Sequence, residues 1–286
     1  MIDLKIIKAG PAELTLAPSL GGGIARLDVN SKPVLRPWLG NETEVFSLAN
    51  NILVPFSNRI SSGGFFWRGT HHSVKPNLKS EIYPIHGDGF NRIWRFSSPN
   101  DKPKMTLSNG RIGPWVYSAE QEFDLSSKGL KITLHVTNKG THSLPFGFGF
   151  HPWFPRTPET RLAFDAKRVW LEDSQHLPSK ELILSYHSDW QFKKLRSLPD
   201  SWINNCFCEW DGKAKIKQGD DAKSCSITAS NNLSNAIVFS PDAKSNFFCF
   251  EPVSHPVDAF NLPGQPCLRE LQVKETLKAS VKISWK

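Results

Sequence analysis

Hydrophobic and polar residues alternate with a period of two along most of this chain. From Trp115 to Leu125 the odd positions carry Trp115, Tyr117, Ala119, Phe123 and Leu125, and the even ones carry Ser118, Glu120, Glu122 and Asp124. After the turn Ser126-Ser127-Lys128-Gly129 the apolar set becomes Leu130, Ile132, Leu134 and Val136, interleaved with Lys131, Thr133, His135 and Thr137. Successive strand residues point to opposite faces, so two such runs about a glycine-containing turn predict a β-hairpin with one buried side. Further strands are predicted at 4–8, 13–17, 24–29, 64–68, 93–97, 144–150, 168–172, 224–229, 236–240, 246–251, 271–275 and 280–285. Clusters of Gly, Pro, Asn and Ser separate them, and no segment keeps a 3.6-residue pattern over three turns. Many short strands with turn chemistry between them imply an all-β fold, a large antiparallel β-sandwich. No internal repeat, low-complexity tract or linker interrupts the chain, so one domain over 1–286 is expected.

Composition sharpens this picture. With 39% hydrophobic and 11% aromatic residues in 286, there is ample material for a core, which excludes intrinsic disorder. Ten Trp and nineteen Phe stand against three Tyr, so most of the aromatic side chains are expected inside. The formal charge of +8 is spread along the chain without a run of like charges, which does not suit a nucleic-acid tail. Five cysteines make an odd number without a disulfide spacing, and Cys206-Phe207-Cys208 lacks the paired histidines of a zinc site. No basic leader with a long apolar run follows Met1, and no 18-residue apolar stretch is present. A cytoplasmic protein with no membrane or nucleic-acid partner is expected, as a monomer or homodimer.

Four places carry candidate chemistry. On a strand, Phe146, Phe148 and Phe150 share one face while Gly147, Gly149 and His151 share the other; the bare glycine side suits a ligand's approach. By the same parity Phe248 and Phe250 face one way, and Phe247, Cys249 and Glu251 the other. A carboxylate among apolar neighbours is desolvated, which raises its pKa towards the range of a general base. Asn58-Arg59 follows a proline at a sheet edge, and Arg offers a fixed fork of donors suited to hydroxyl or ring oxygens. His86 lies in the glycine-flanked turn Ile85-His-Gly-Asp-Gly89. Each has a plain structural alternative: a satisfied strand-end histidine, an exposed glutamate, a surface salt bridge, a solvated turn histidine. Phosphate-binding, dinucleotide, nucleophile-elbow and H-E-x-x-H motifs are absent, so neither a cofactor nor a metal is expected.

Taken together these segments are more specific. Val54-Pro-Phe-Ser-Asn-Arg-Ile60, His86-Gly87 with Trp94, Gly149-Phe-His-Pro-Trp-Phe-Pro155, Asn205-Cys-Phe-Cys-Glu-Trp-Asp-Gly212 and Glu251-Pro-Val-Ser-His-Pro-Val-Asp-Ala-Phe-Asn261 resemble the aldose 1-epimerase (galactose mutarotase) family, bacterial-type branch. The resemblance covers the chain from about residue 50 onward. It implies the mutarotase supersandwich with a shallow, solvent-open cleft on the concave sheet. It also implies Glu251 as general base and His151 as general acid, with Asn58, Arg59 and His86 holding the sugar. Asn204 stands where the family usually has Asp, and Trp153 where many relatives have Tyr; the first bears on hydroxyl recognition, the second offers a wider stacking surface.

The implied activity is interconversion of the α and β anomers of a free aldose, with His151 protonated and Glu251 ionised at working pH. Three alternatives compete with it. One is a hexose-6-phosphate 1-epimerase, which the net positive charge would suit. Another is a non-catalytic carbohydrate-binding protein of the same fold. The third, lyase or glycosidase chemistry on a similar sandwich, usually comes with additional domains.

Overall fold

The computed structural model describes residues 2–40 and 44–286, the side chain of Asp101 excepted. Its strands gather into two large antiparallel sheets, as the alternation predicts. The first, of eleven strands, runs Lys5–Ala9, Ala12–Ala17, Gly23–Val29, Asn50–Leu53, Gly149–Pro155, Phe247–Val253, Asn235–Ser240, Ile203–Cys208, Arg168–Glu172 and Pro178–Ile183, with Lys32–Pro33 added beside Gly23–Val29. The second runs Arg161–Phe164, Lys213–Lys217, Cys225–Ala229, Thr276–Trp285, Gly129–Asn138, Trp115–Ser126, Lys104–Ile112 and Arg95–Ser97. Two-stranded pieces, Gly64–Trp67 with Thr70–Ser73 and Leu144–Phe146 with Arg269–Leu271, complete the described residues. Among the described residues no helix is long and apolar enough to cross a membrane.

The sheets bury their facing sides against each other. Phe154, Phe207, Phe248 and Phe250 come from the first sheet, and Ile132, Leu134, Phe164, Val281 and Ile283 from the second. Phe250 meets Phe164 edge to face at 5.2 Å. Each such ring contributes roughly 1.5–3 kcal/mol by leaving water, and the edge-to-face geometry suits the ring quadrupoles. The hairpin Trp115–Ser126/Gly129–Asn138 forms in the expected register, closing at Ser126↔Gly129. Gln121 shares its buried face, where its amide donates to the Gly22 carbonyl at 2.9 Å and so avoids an unpaired buried donor.

Several boundaries differ from the sequence reading. Residues 144–150 are not one strand: Leu144–Phe146 pairs with Arg269–Leu271, and Gly149–Pro155 sits in the middle of the large sheet. Gly147 lies between them, and a Cβ there would come 2.1 Å from the His255 ring. The bare glycine side is thus filled by protein, not left for a ligand. The strand expected at 271–275 ends at Leu271, because Lys274 takes a left-handed φ of 68° in a turn. The final strand begins at Thr276 instead, and 93–97 shortens to Arg95–Ser97.

Candidate active site

His151 and Glu251 lie on adjacent central strands. The register Gly149↔Val253 and Trp153↔Cys249 sets them opposite one another. Between those two pairs the ladder is interrupted, at the place where Pro152 and Pro252 bring no N–H to it. Pro152 therefore does not end the strand; it opens a gap in the middle of the sheet. Across that gap His151 Nε2 stands 3.5 Å from Glu251 Oε1. Phe248 and Phe250 point into the core, so Cys249 and Glu251 face the other way, as strand parity requires.

Both groups are removed from water, with Glu251 2% and His151 6% exposed. Glu251 Oε2 has no hydrogen-bond partner among the described residues. Burial pushes the Glu251 carboxyl up to about 8, against the pull of the Arg59 charge. Burial, with the Arg36 charge added, pushes His151 down to about 3. The resting pair thus carries one proton, and burial places it on the carboxyl. The imidazolium beside a carboxylate expected from sequence would set two charges where burial disfavours both.

The loop at 55–60 brings in the next three residues. Successive main-chain N–H groups are taken up by imidazoles: Ser57 donates to His255 Nε2 at 3.2 Å and Asn58 to His86 Nδ1 at 3.0 Å. The main-chain N–H of His86 returns a bond to the Asn58 carbonyl at 2.9 Å. Because Nδ1 accepts, neutral His86 carries its proton on Nε2. Burial, His151 and Arg59 all hold its pKa well below the ordinary value. Its ring centroid is 5.4 Å from that of His151, so the two histidines do share one site. The turn that presents it needs Gly87, whose φ is 68° and whose Cβ would lie 1.9 Å from the Val54 carbonyl oxygen.

Arg59 is buried and held by Glu81 through two bonds of 2.9 Å, Nε to Oε2 and Nη2 to Oε1. Asn58, at φ 55°, turns its Oδ1 back to accept from the Arg59 N–H at 3.0 Å. The loop is stapled to the chain beyond Glu251 by Asp258, whose carboxylate accepts from the Ser61 N–H at 2.8 Å and the Ser61 hydroxyl at 2.7 Å. Much of the Glu251–Asn261 motif therefore holds the Arg59 loop against the Glu251 strand.

Trp153 enters differently from the expectation. Its ring lies parallel to His151, at 4.8 Å and 10°, and the Arg36 guanidinium stands 4.0 Å from its centre. The surface expected to meet a sugar meets protein, and it orients the imidazole. Phe46 packs 5.9 Å from His86 and 6.0 Å from His151, its carbonyl accepting from Arg36 at 2.6 Å. The implied open cleft is therefore covered over the pair itself.

Asn204 lies farther along the same face, in a cross-strand row Asn204↔Phe239↔Cys249↔Trp153. Strands are about 4.8 Å apart, so Asn204 stands roughly 10 Å from the Glu251 strand. It donates to Glu172 Oε2 at 2.6 Å, and Trp202 Nε1 bonds Glu172 Oε1. The carboxylate that the family resemblance placed at 204 is supplied beside it by Glu172.

Sequence reading missed Arg36, Phe46, Glu81 and Glu172 as neighbours of this site, and it placed Cys249 on the face of Glu251 without giving it a role. Cys249 carried a signal, since it shares the parity of Glu251; one atom from each of His151, Cys249 and Glu251 lies within 4.8 Å of the others. Arg36, Phe46 and Glu81 lie in irregular segments where no periodicity aims a side chain.

The sequence pattern of the aldose 1-epimerase family matches residues 9–284. The uncharacterized protein YphB of Escherichia coli K12 is 33% identical over 274 residues, 93% of each chain. A crystal structure of a candidate aldose 1-epimerase from E. coli K12 covers 100% of both chains with a TM-score of 0.93 at 29% identity. A galactose mutarotase-like protein of Clostridium acetobutylicum superimposes with a TM-score of 0.83 over 99% of this chain and 98% of its own; at 18% identity it speaks for the fold alone.

Proposed function

This chain belongs to the aldose 1-epimerase family, and on that footing we propose that it interconverts the α and β anomers of a free aldose. The observation that carries the reading is the buried His151/Glu251 pair, 3.5 Å apart, with one carboxylate oxygen unpartnered. The anomeric hydroxyl and ring oxygen of a pyranose hang on one carbon, so two groups this close reach both.

In this reading sugar hydroxyls donating to Glu251 stabilise its anion, and the anion in turn holds the shared proton on His151. Glu251 then takes the anomeric proton while His151 protonates the ring oxygen, and the ring C–O bond opens. The aldehyde rotates and is attacked on its other face, with the two groups exchanging roles. Neither is consumed. Each positioned proton-transfer group contributes roughly 10²–10⁴-fold in rate. His86 Nε2–H and Arg59 orient and polarise the sugar oxygens, with Asn58 beside them; Trp153 supports the imidazole, and Asn204 with Glu172 meets hydroxyls at the far end. In this reading residues 1–286 act as one domain, since the segments carrying Arg59, His86, His151 and Glu251 meet at one site.

Arg59 is neutralised by Glu81, which favours an uncharged sugar over a sugar phosphate. Polarimetry of freshly dissolved α-D-glucose and α-D-galactose tests the proposal: rotation is expected to decay faster with protein than in buffer. Decay at the buffer rate across a panel of aldoses would overturn the free-aldose reading, and the same test on a hexose 6-phosphate would then separate a sugar-phosphate epimerase from a binding protein.

A further inference from the structure

The mechanism leaves the thiol of Cys249, on the site face beside Glu251, unused. It is fully buried, on the parity of Glu251, and a ligand atom from each of His151, Cys249 and Glu251 lies within 4.8 Å of the others. We propose that these three side chains form a site for a thiophilic divalent cation such as Zn²⁺, which shuts the protein off by taking the atoms the sugar needs.

Donor chemistry favours this cation. An imidazole nitrogen, a thiolate and a carboxylate are the ligand types of zinc, bound at about 2.0–2.3 Å in tetrahedral geometry. Tetrahedral bonds of that length put donor atoms roughly 3.3–3.8 Å apart. His151 Nε2 and Glu251 Oε1 already stand at 3.5 Å. Glu251 Oε2, buried and without a hydrogen bond, is an unsatisfied acceptor at the same place. The other compact set of such residues, Glu120, Glu122 and His135, has both its carboxylates paired with Lys104.

Binding requires the thiol to lose its proton. Burial and the Glu251 charge push that thiol well up, so a metal must displace the proton and affinity rises with pH. Three protein ligands leave a fourth position for water. Exclusion of sugar rests on the proposed epimerase reading, whereas metal binding rests on the three side chains alone.

Co²⁺ absorption separates the two. The intact protein is expected to take up one Co²⁺ with intense tetrahedral d–d bands and a thiolate-to-cobalt charge-transfer band, both removed by Zn²⁺. The charge-transfer band is expected to vanish in Cys249→Ser, with circular dichroism checking that the variant folds. Cys267→Ser, which alters the exposed thiol, is expected to keep it. Absence of the band in the wild type, or its survival in Cys249→Ser, overturns the site. In parallel, Zn²⁺ is expected to abolish mutarotation at least tenfold, reversibly with chelator. Bands without inhibition, or activation by Zn²⁺, overturn the inhibitory role. A protein inactive without any metal but showing the bands would count against the epimerase proposal and for the metal site.

Discussion

The main-chain N–H of Asn58 donates to His86 Nδ1 at 3.0 Å, and the main-chain N–H of His86 returns a bond to the Asn58 carbonyl at 2.9 Å. The first of these bonds fixes the tautomer of a buried imidazole and leaves Nε2–H as a donor, and the second, from the His86 main chain, holds the two loops together. His86→Ala is expected to lower kcat/KM for an aldose about 10²-fold, the usual loss when one donor to a developing charge is removed. Because burial and the neighbouring His151 and Arg59 hold His86 well below the ordinary imidazole value, no titration near neutral pH should belong to it. An alkaline or acid limb that disappears in this variant would contradict the assignment.

The pair should set the pH profile. Glu251 is pushed up to about 8 and His151 down to about 3, so a single proton is shared over the window between. Above about pH 8 that proton is lost and the acid role has no donor. kcat/KM is expected to be flat near neutrality and to fall tenfold per unit well above 8. A profile still rising through pH 9 would be inconsistent with this.

Stability should move in the opposite direction to activity at Glu251. Its folded carboxyl titrates at about 8, above its unfolded value of 4.5, so stability present below pH 4.5 is lost as pH climbs through 8. Glu251→Gln removes that penalty. Its melting temperature should exceed that of the wild type by a few degrees at pH 8, with the gap shrinking towards pH 5. Equal melting curves at both pH values would show that the carboxyl is not strained by burial.

Asn204 bonds Glu172 at 2.6 Å. Asn204→Asp sets two carboxylates against each other, and a several-fold rise in KM with little change in kcat is expected. An unchanged KM would remove residue 204 from sugar binding.

Dialysis against EDTA should leave mutarotation unaltered or, where zinc is present, increase it. Loss of activity restored by added metal would oppose both the acid–base mechanism and the inhibitory site.

The sandwich was legible in the sequence because a period of two survives wherever one face is buried, as in Trp115–Ser126. Strand parity separated Phe248 and Phe250 from Cys249 and Glu251, and it foresaw a carboxyl raised by desolvation. Parity failed at 144–150, where the strand breaks at Gly147 to admit the His255 ring. It also could not show that Pro152 and Pro252 lie within central strands, since proline normally marks an edge. The Glu81, Arg36 and Phe46 contacts join irregular segments across long separations, and no local pattern encodes them.

The most direct measurement is the anomer exchange rate of an aldose, followed by polarimetry with equal amounts of folded wild type and Glu251→Gln. The wild type is expected to exceed buffer, and the variant to fall at least about 10²-fold below it. A variant as fast as the wild type would contradict a reaction carried by the His151/Glu251 pair.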